Sequence, residues 1–273
     1  MVIILAAFSL IDGKVLCVPG QSSSGLARAL FEERDYYRAI TEYKRLSFFS
    51  VGTQEKRRAS FRIGECYRRS GRWEKALPHL LDGARFRAPD PLTDSCIVSL
   101  AKSYIELGSY RAAREMLDSL GSRNVPTRVT LVGWSYLMEG DFRNARTSFL
   151  SVSNSSSASC LAELSAEGER IPMKSARVAG AMSALIPGSG QVYAGACKQG
   201  FISFLLHGVM GYLLYKSVKA ERYFEAAVTL YTGLSRFYVG NIMAASRLAR
   251  EKNERERLLL IEEARRRYGG DLE

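Results

Sequence analysis

With 273 residues, 47% of them hydrophobic, the chain can bury one sizeable core and a second, smaller one. Its formal net charge of +11 favours acidic or anionic partners. No nucleophile–base pair, carboxylate dyad or metal-ligand spacing occurs, so the sequence predicts neither an enzyme nor a metal or cofactor site.

Residues 1–20 read as a signal peptide: Val2 to Ile11 is apolar but too short to span a bilayer, and no Lys or Arg precedes it. Leu16 before Cys17 is too bulky for lipoprotein processing. A buried N-terminal strand or helix is the alternative. The remaining cysteines, Cys66, Cys96, Cys160 and Cys197, form no Cys-x-x-Cys pair, which predicts buried free thiols.

Residues 21–155 repeat one pattern, in which a residue of the Tyr67, Tyr104, Tyr136 series precedes Gly71, Gly108 or Gly140 by four, and Ala76, Ala113 or Ala145 follows by five. A degenerate first copy has Leu30, Arg34 and Ala39, and the alanines are spaced 37, 37 and 32 apart. Each glycine suits a chain reversal that needs φ > 0. The small residues Gly64, Ala101 and Gly133, seven positions before the turn, let two antiparallel helices approach closely. A unit of this length means stacked helical hairpins. The pattern resembles the tetratricopeptide repeat, and the resemblance implies an all-α, tetratricopeptide-like helical-hairpin solenoid; a generic helical bundle is the alternative.

A serine-rich linker, 151–157, leads into residues 156–173, read as linker and capping helix, and then a membrane module over 174–246. Phe201 to Tyr215 carries no Asp, Glu, Lys or Arg, Phe224 to Ala245 is apolar except for Glu225, Arg236 and Asn241, and Val178 to Ala196 is broken by Pro187. The sequence therefore predicts a transmembrane helical hairpin, with a third crossing or a re-entrant segment at Pro187. Lys174, Arg177, Arg247 and Arg250 oppose Lys216, Lys219 and Arg222, so the positive-inside rule leaves the topology open. Pro187, Gly188, Gly190, Gln191, Tyr193 and Gly195 resemble the P-G-x-G-Q-x-Y-x-G signature of small bacterial membrane domains. Together with the repeats, the serine-rich linker and the Tyr238-Val239-Gly240-Asn241 ending, this motif makes the chain similar to a family of bacterial repeat-bearing inner-membrane proteins, which implies a link to envelope or membrane-protein assembly.

At membrane depth Gln191 needs a polar partner, for which Asn241 is the candidate. Arg236 is expensive in an apolar span, and pairing with Glu225 or snorkelling to a headgroup is expected. Gly188-x-Gly190 is not a nucleotide loop, since neither a third glycine nor a Lys follows at the required position. His79 and His207 have no second ligand at helical spacing. Residues 247–273, with alternating charges from Arg250 to Arg257, read as a solvated helix with i,i+4 pairs.

By the repeat resemblance, first helices line a partner groove. Its positions are Arg28 and Phe31, then Arg58, Phe61, Glu65, Arg68 and Arg69, then Val98, Lys102 and Ile105, and finally Trp134, Leu137 and Met138. The groove is cationic in its first half and apolar in its second, which suits an extended protein segment or peptide with an acidic stretch. A solvated face or attraction to membrane lipid is the alternative, and nucleic acid is not expected. The resulting expectation is a membrane-anchored adaptor with its repeats in the periplasm; the alternative is a small channel or transport component built on residues 174–246.

Overall fold

The computed structural model describes residues 23–84, 90–120, 124–152 and 155–272; the segment read as a signal peptide lies outside them. Every regular element among them is helical, and the chain forms two compact units, Met1–Leu120 and Gly121–Glu273.

In the first unit, α1 (Ser23–Glu32) and α2 (Tyr36–Phe49), α3 (Thr53–Arg69) and α4 (Trp73–Ala84), and α5 (Pro91–Glu106) and α6 (Tyr110–Asp118) pair as hairpins, each element packed on the next in the chain. The second unit opens with another hairpin, α7 (Val125–Glu139) and α8 (Phe142–Leu150), against which α9 (Ser156–Arg170) packs. Ser155 caps α9 by accepting from the Ala158 N–H, so Ser156 and Ser157 belong to the helix rather than to the serine-rich linker.

One backbone motif closes all of these hairpins. Gly71, Gly108 and Gly140 have φ of +71°, +73° and +84°. The amide after each donates back to the carbonyl of Tyr67, Tyr104 or Tyr136 at 2.8–2.9 Å, the 6→1 bond of a Schellman ending. Arg34 adopts φ +63° and Asp35 donates to Leu30 in the same way, so the degenerate copy keeps the turn without glycine, at a cost of about 1–2 kcal/mol. Behind the turns, Ala39, Ala76, Ala113 and Ala145 are wholly buried. A Cβ on Gly64 would lie 2.6 Å from the Leu80 side chain, and one on Gly133 2.6 Å from Phe149. These small residues are the contact points of the paired helices.

Arg57 crosslinks the first unit. Its guanidinium is buried and donates to Gly83 O at 3.1 Å, Gln54 Oε1 at 2.9 Å, Asp90 Oδ2 at 2.8 Å and Thr93 Oγ1 at 2.9 Å. It thus joins α3 to the end of α4 and to the cap of α5, where Asp90 accepts from the Thr93 N–H. Cys66 and Cys96 are buried, and burial pushes both thiols up to about 12, which makes them inert packing groups.

The rest of the second unit comprises α10 (Ala176–Leu185), α11 (Ser189–Tyr193), α12 (Cys197–Lys219), α13 (Tyr223–Val228), a π turn over Thr229–Leu234, and α14 (Ser235–Tyr268). Among the described residues α12 is the one helix long and apolar enough to cross a membrane. Val178 to Ala196 yields only α10 and α11, of 10 and 5 residues, so it makes no continuous crossing: Ile186 is extended and Gly188 has φ +93°.

The expected boundary at 246/247 falls inside α14, which runs unbroken for 34 residues, about 51 Å. Its first half packs on α10 through Ala179, Ala245 and Ala249. Its second half is not simply a solvated helix. It packs on α9, burying Leu260, Ile261 and Ala264, and Arg257 Nη2 donates to Met138 O at 3.4 Å. The expected short-range ion pairs, such as Arg247 with Glu251, lie on the remaining face.

Candidate functional site

The first candidate is a cationic, aromatic face on α1 and α3. Phe31 and Phe61 are half-buried, and the Arg62 guanidinium carbon lies 5.8 Å from each ring centroid. Arg69 sits 5.0 Å over Phe31. Arg58, Arg62 and Arg69 are all exposed on one side of α3, and among the described residues no carboxylate pairs with Arg58 or Arg62. Arg28, also exposed, is engaged with Glu32 at 2.9 Å. Arg62 was missed at the sequence level, although its position four residues after Arg58 places it on the same arc.

Five expected groove residues, Glu65, Arg68, Ile105, Trp134 and Leu137, lie elsewhere. Arg68 is only 3% exposed and grips Glu65 through two bonds of 2.9 and 3.0 Å. Burial pushes the Glu65 carboxyl up, but Arg68, the Ser99 hydroxyl and Arg69 outweigh it and hold the group below its ordinary range, hence ionised. Ile105, Trp134 and Leu137 are buried core residues, with Trp134 edge-on to Phe149. Arg68, Ile105 and Leu137 each stand three before the turn residue, where the side chain points into the packed layer. Phe31 holds the same register but stays half-exposed on the first described helix. Lys102 and Val98 are half-buried, as is Met138. Ile105, Trp134 and Leu137 of the expected apolar half are therefore interior.

The second candidate is the Pro187–Gly195 motif. Gln191 is buried and its amide donates to Asn241 Oδ1 at 2.7 Å and Asn241 O at 3.3 Å. The Asn241 amide donates to Ser183 O at 3.0 Å, Ser203 Oγ donates to Asn241 Oδ1 at 2.6 Å, and Ser183 Oγ donates to Gln191 Oε1 at 2.8 Å. Ser183 Oγ also accepts from the Gly190 N–H at 3.1 Å. This hub fastens α10, α11, α12 and α14 together with its polar groups satisfied. Tyr193 accepts from the Ser175 N–H at 3.3 Å and carries Lys174 over its ring at 4.7 Å. Gly195, at φ +87°, turns the chain into α12. The motif therefore acts as a joint, and its residues present no reactive group.

Arg236 is not paired with Glu225. The Glu225 carboxylate meets its helix neighbour Arg222 at 3.2 Å, an i,i+3 pair, and the eleven residues from Glu225 to Arg236 would span about 16 Å even in a regular helix. Arg236 instead lines a cleft between α12 and α14.

Compared with known proteins, the chain matches no family model, no curated protein and no solved structure.

The Gln191–Asn241 pair predicts strong coupling. Gln191→Leu or Asn241→Leu alone leaves a buried amide unsatisfied, at about 1–3 kcal/mol. The double variant is expected to recover at least about 0.5 kcal/mol relative to the sum of the two. Thermal unfolding in detergent measures the cycle, and strict additivity would contradict the hub.

Proposed function

We propose that the protein is a membrane-anchored adaptor whose helical hairpins are tetratricopeptide repeats and whose α1–α3 face captures an acidic segment of a protein partner. The supporting observation is the set of Arg58, Arg62 and Arg69, with two guanidinium groups held against Phe31. Stacking pre-orders these planar forks for carboxylates, and reduces the side-chain entropy lost on binding. A smaller groove than the sequence implied is needed: an acidic segment alone, without bulky apolar residues behind it.

In this reading α12 and the start of α14 form the hairpin anchor in a bacterial inner membrane, and the repeats face the periplasm. Membrane support comes from α12, where Phe201, Phe204 and Leu205 are 56–67% exposed, a surface suited to lipid.

The test uses the full chain in nanodiscs and a fluorescent Asp/Glu-rich peptide. Arg58→Glu/Arg62→Glu/Arg69→Glu is expected to weaken binding by roughly tenfold or more. A matched reversal of Lys44, Arg45 and Arg72, which lie beside the exposed Tyr37, Phe48 and Phe49 around a separate cavity, should change it little. Equal losses from the two sets would mean diffuse charge attraction and would refute the face.

A further inference from the structure

Arg236 stands in an awkward place. Ser203 of α12 bonds Asn241 of α14, and His207 packs edge-on to Tyr238 at 6.5 Å. The two helices therefore run antiparallel here, and Arg236, two residues before Tyr238, lies level with the middle of α12. Helix α12 has 23 residues, about 35 Å, against a hydrocarbon core of ~30 Å. An arginine at mid-height is further from either interface than its side chain reaches. With α12 centred in a bilayer, as proposed above, snorkelling to a headgroup is strained, and Glu225 is held by Arg222. Among the described residues no carboxylate pairs with Arg236, whose side chain is exposed.

The surroundings of Arg236 have the shape of a helix seat. Arg236, Gly240 and Ala244 follow each other at four-residue intervals along α14, and a Cβ on Gly240 would meet nothing within 4 Å. On one side of this ridge, Ile202, Leu206 and Phe237 help line a cleft of about 470 Å³. On the other, Met243, Arg247 and Arg250 border a second hollow of about 370 Å³ that shares Gly240 and Ala244. Arg236 to Arg250 span about 21 Å of α14. Small residues at such a ridge let backbones approach closely in lipid.

His207, 9% exposed, lines the same cleft, and its Nδ1 donates to Ser203 O at 2.7 Å.

We infer that this groove seats a transmembrane helix of a different protein, and that an Asp or Glu of that helix pairs with Arg236. A cation exposed at this depth in lipid is best met by an opposite charge. A second copy of this chain offers none at that level: a symmetric contact would set Arg236 near Arg236. The inference rests on the membrane reading of α12 proposed above.

The experiment places a photoreactive benzophenone amino acid at Ile202, in the cleft, or at Tyr212, exposed elsewhere on α12, in the full chain in its native membranes. The expected adduct forms from Ile202, maps to a membrane-spanning segment containing Asp or Glu, and falls at least about tenfold in Arg236→Gln, while the melting temperature is unchanged. Arg236→Glu paired with an acid-to-Arg change in the partner should restore it. An adduct to lipid, to a second copy or to a helix without an acid would overturn the inference, as would equal yields from Ile202 and Tyr212 or an adduct indifferent to Arg236→Gln. Alkaline carbonate extraction separates the two readings. Release of the chain into the soluble fraction defeats the membrane reading and this one with it; retention alongside any of the adverse adduct results defeats this one alone.

Discussion

Gly190→Leu is expected to disrupt the joint among α10, α11, α12 and α14, lowering stability by more than about 4 kcal/mol. A Cβ on Gly190 would collide with the Ala179 carbonyl oxygen and approach Ser183 Oγ to 2.6 Å. The first obstacle is backbone and cannot rotate aside, so α10 and α11 must part. Separation then removes the Gly190 N–H bond to Ser183 and the Ser183 bond to Gln191, so overpacking and lost hydrogen bonds add. Gly180→Ala should be milder, because its nearest obstacle is the rotatable Ser246 hydroxyl. Gly208→Ala, where nothing lies within 4 Å, should be close to neutral. Thermal unfolding of the full chain in one detergent ranks the three variants. A Gly190→Leu protein that melts with the parent would remove the packing account of the motif.

The second large effect is expected at Arg57. Arg57→Met withdraws donors from Gly83 O, Asp90 and Thr93 together, and a buried acceptor left unmet costs about 1–3 kcal/mol. Arg57→Lys should recover little, since one ammonium cannot reproduce a planar fork aimed at α4 and α5. Arg28→Met, which removes an exposed i,i+4 pair with Glu32, should leave the unfolding midpoint in place.

A pH signature accompanies the effect. The Arg57 hydrogen bond, then the Thr93 N–H, hold the Asp90 carboxyl down at about 2, against an ordinary 3.8. A depressed folded-state value stabilises the fold above the unfolded value and is lost as the group protonates. The parent should therefore lose stability as pH falls from about 4 to about 2, and Arg57→Met should show a shallower decline through that window. Denaturant titrations at successive pH values give both slopes. A parent and variant with parallel profiles would show that Arg57 does not set the Asp90 charge.

Sequence alone determined the helical hairpins and their turns, because the information is local. A tyrosine carbonyl four residues before a left-handed glycine closes a Schellman ending wherever it occurs, and Ala76, Ala113 and Ala145 report a close contact whatever surrounds them. The Gln191–Asn241 pair was legible for a related reason: a polar group in an apolar stretch must find a partner, and few were on offer. Tertiary structure decided which side of each helix is covered. Period 3.6 puts Arg58, Arg62, Arg68 and Arg69 on one helix, but only packing shows that Arg68 turns inward to Glu65 while Arg62 and Arg69 stack on Phe31. It likewise sends Trp134 and Leu137 into the core. The reach of Arg57 to Asp90 and the packing of α14 past residue 246 onto α9 depend on residues brought together by folding. These contacts are set by where neighbouring helices stand, and that placement follows from the sum of the packing rather than from any one segment.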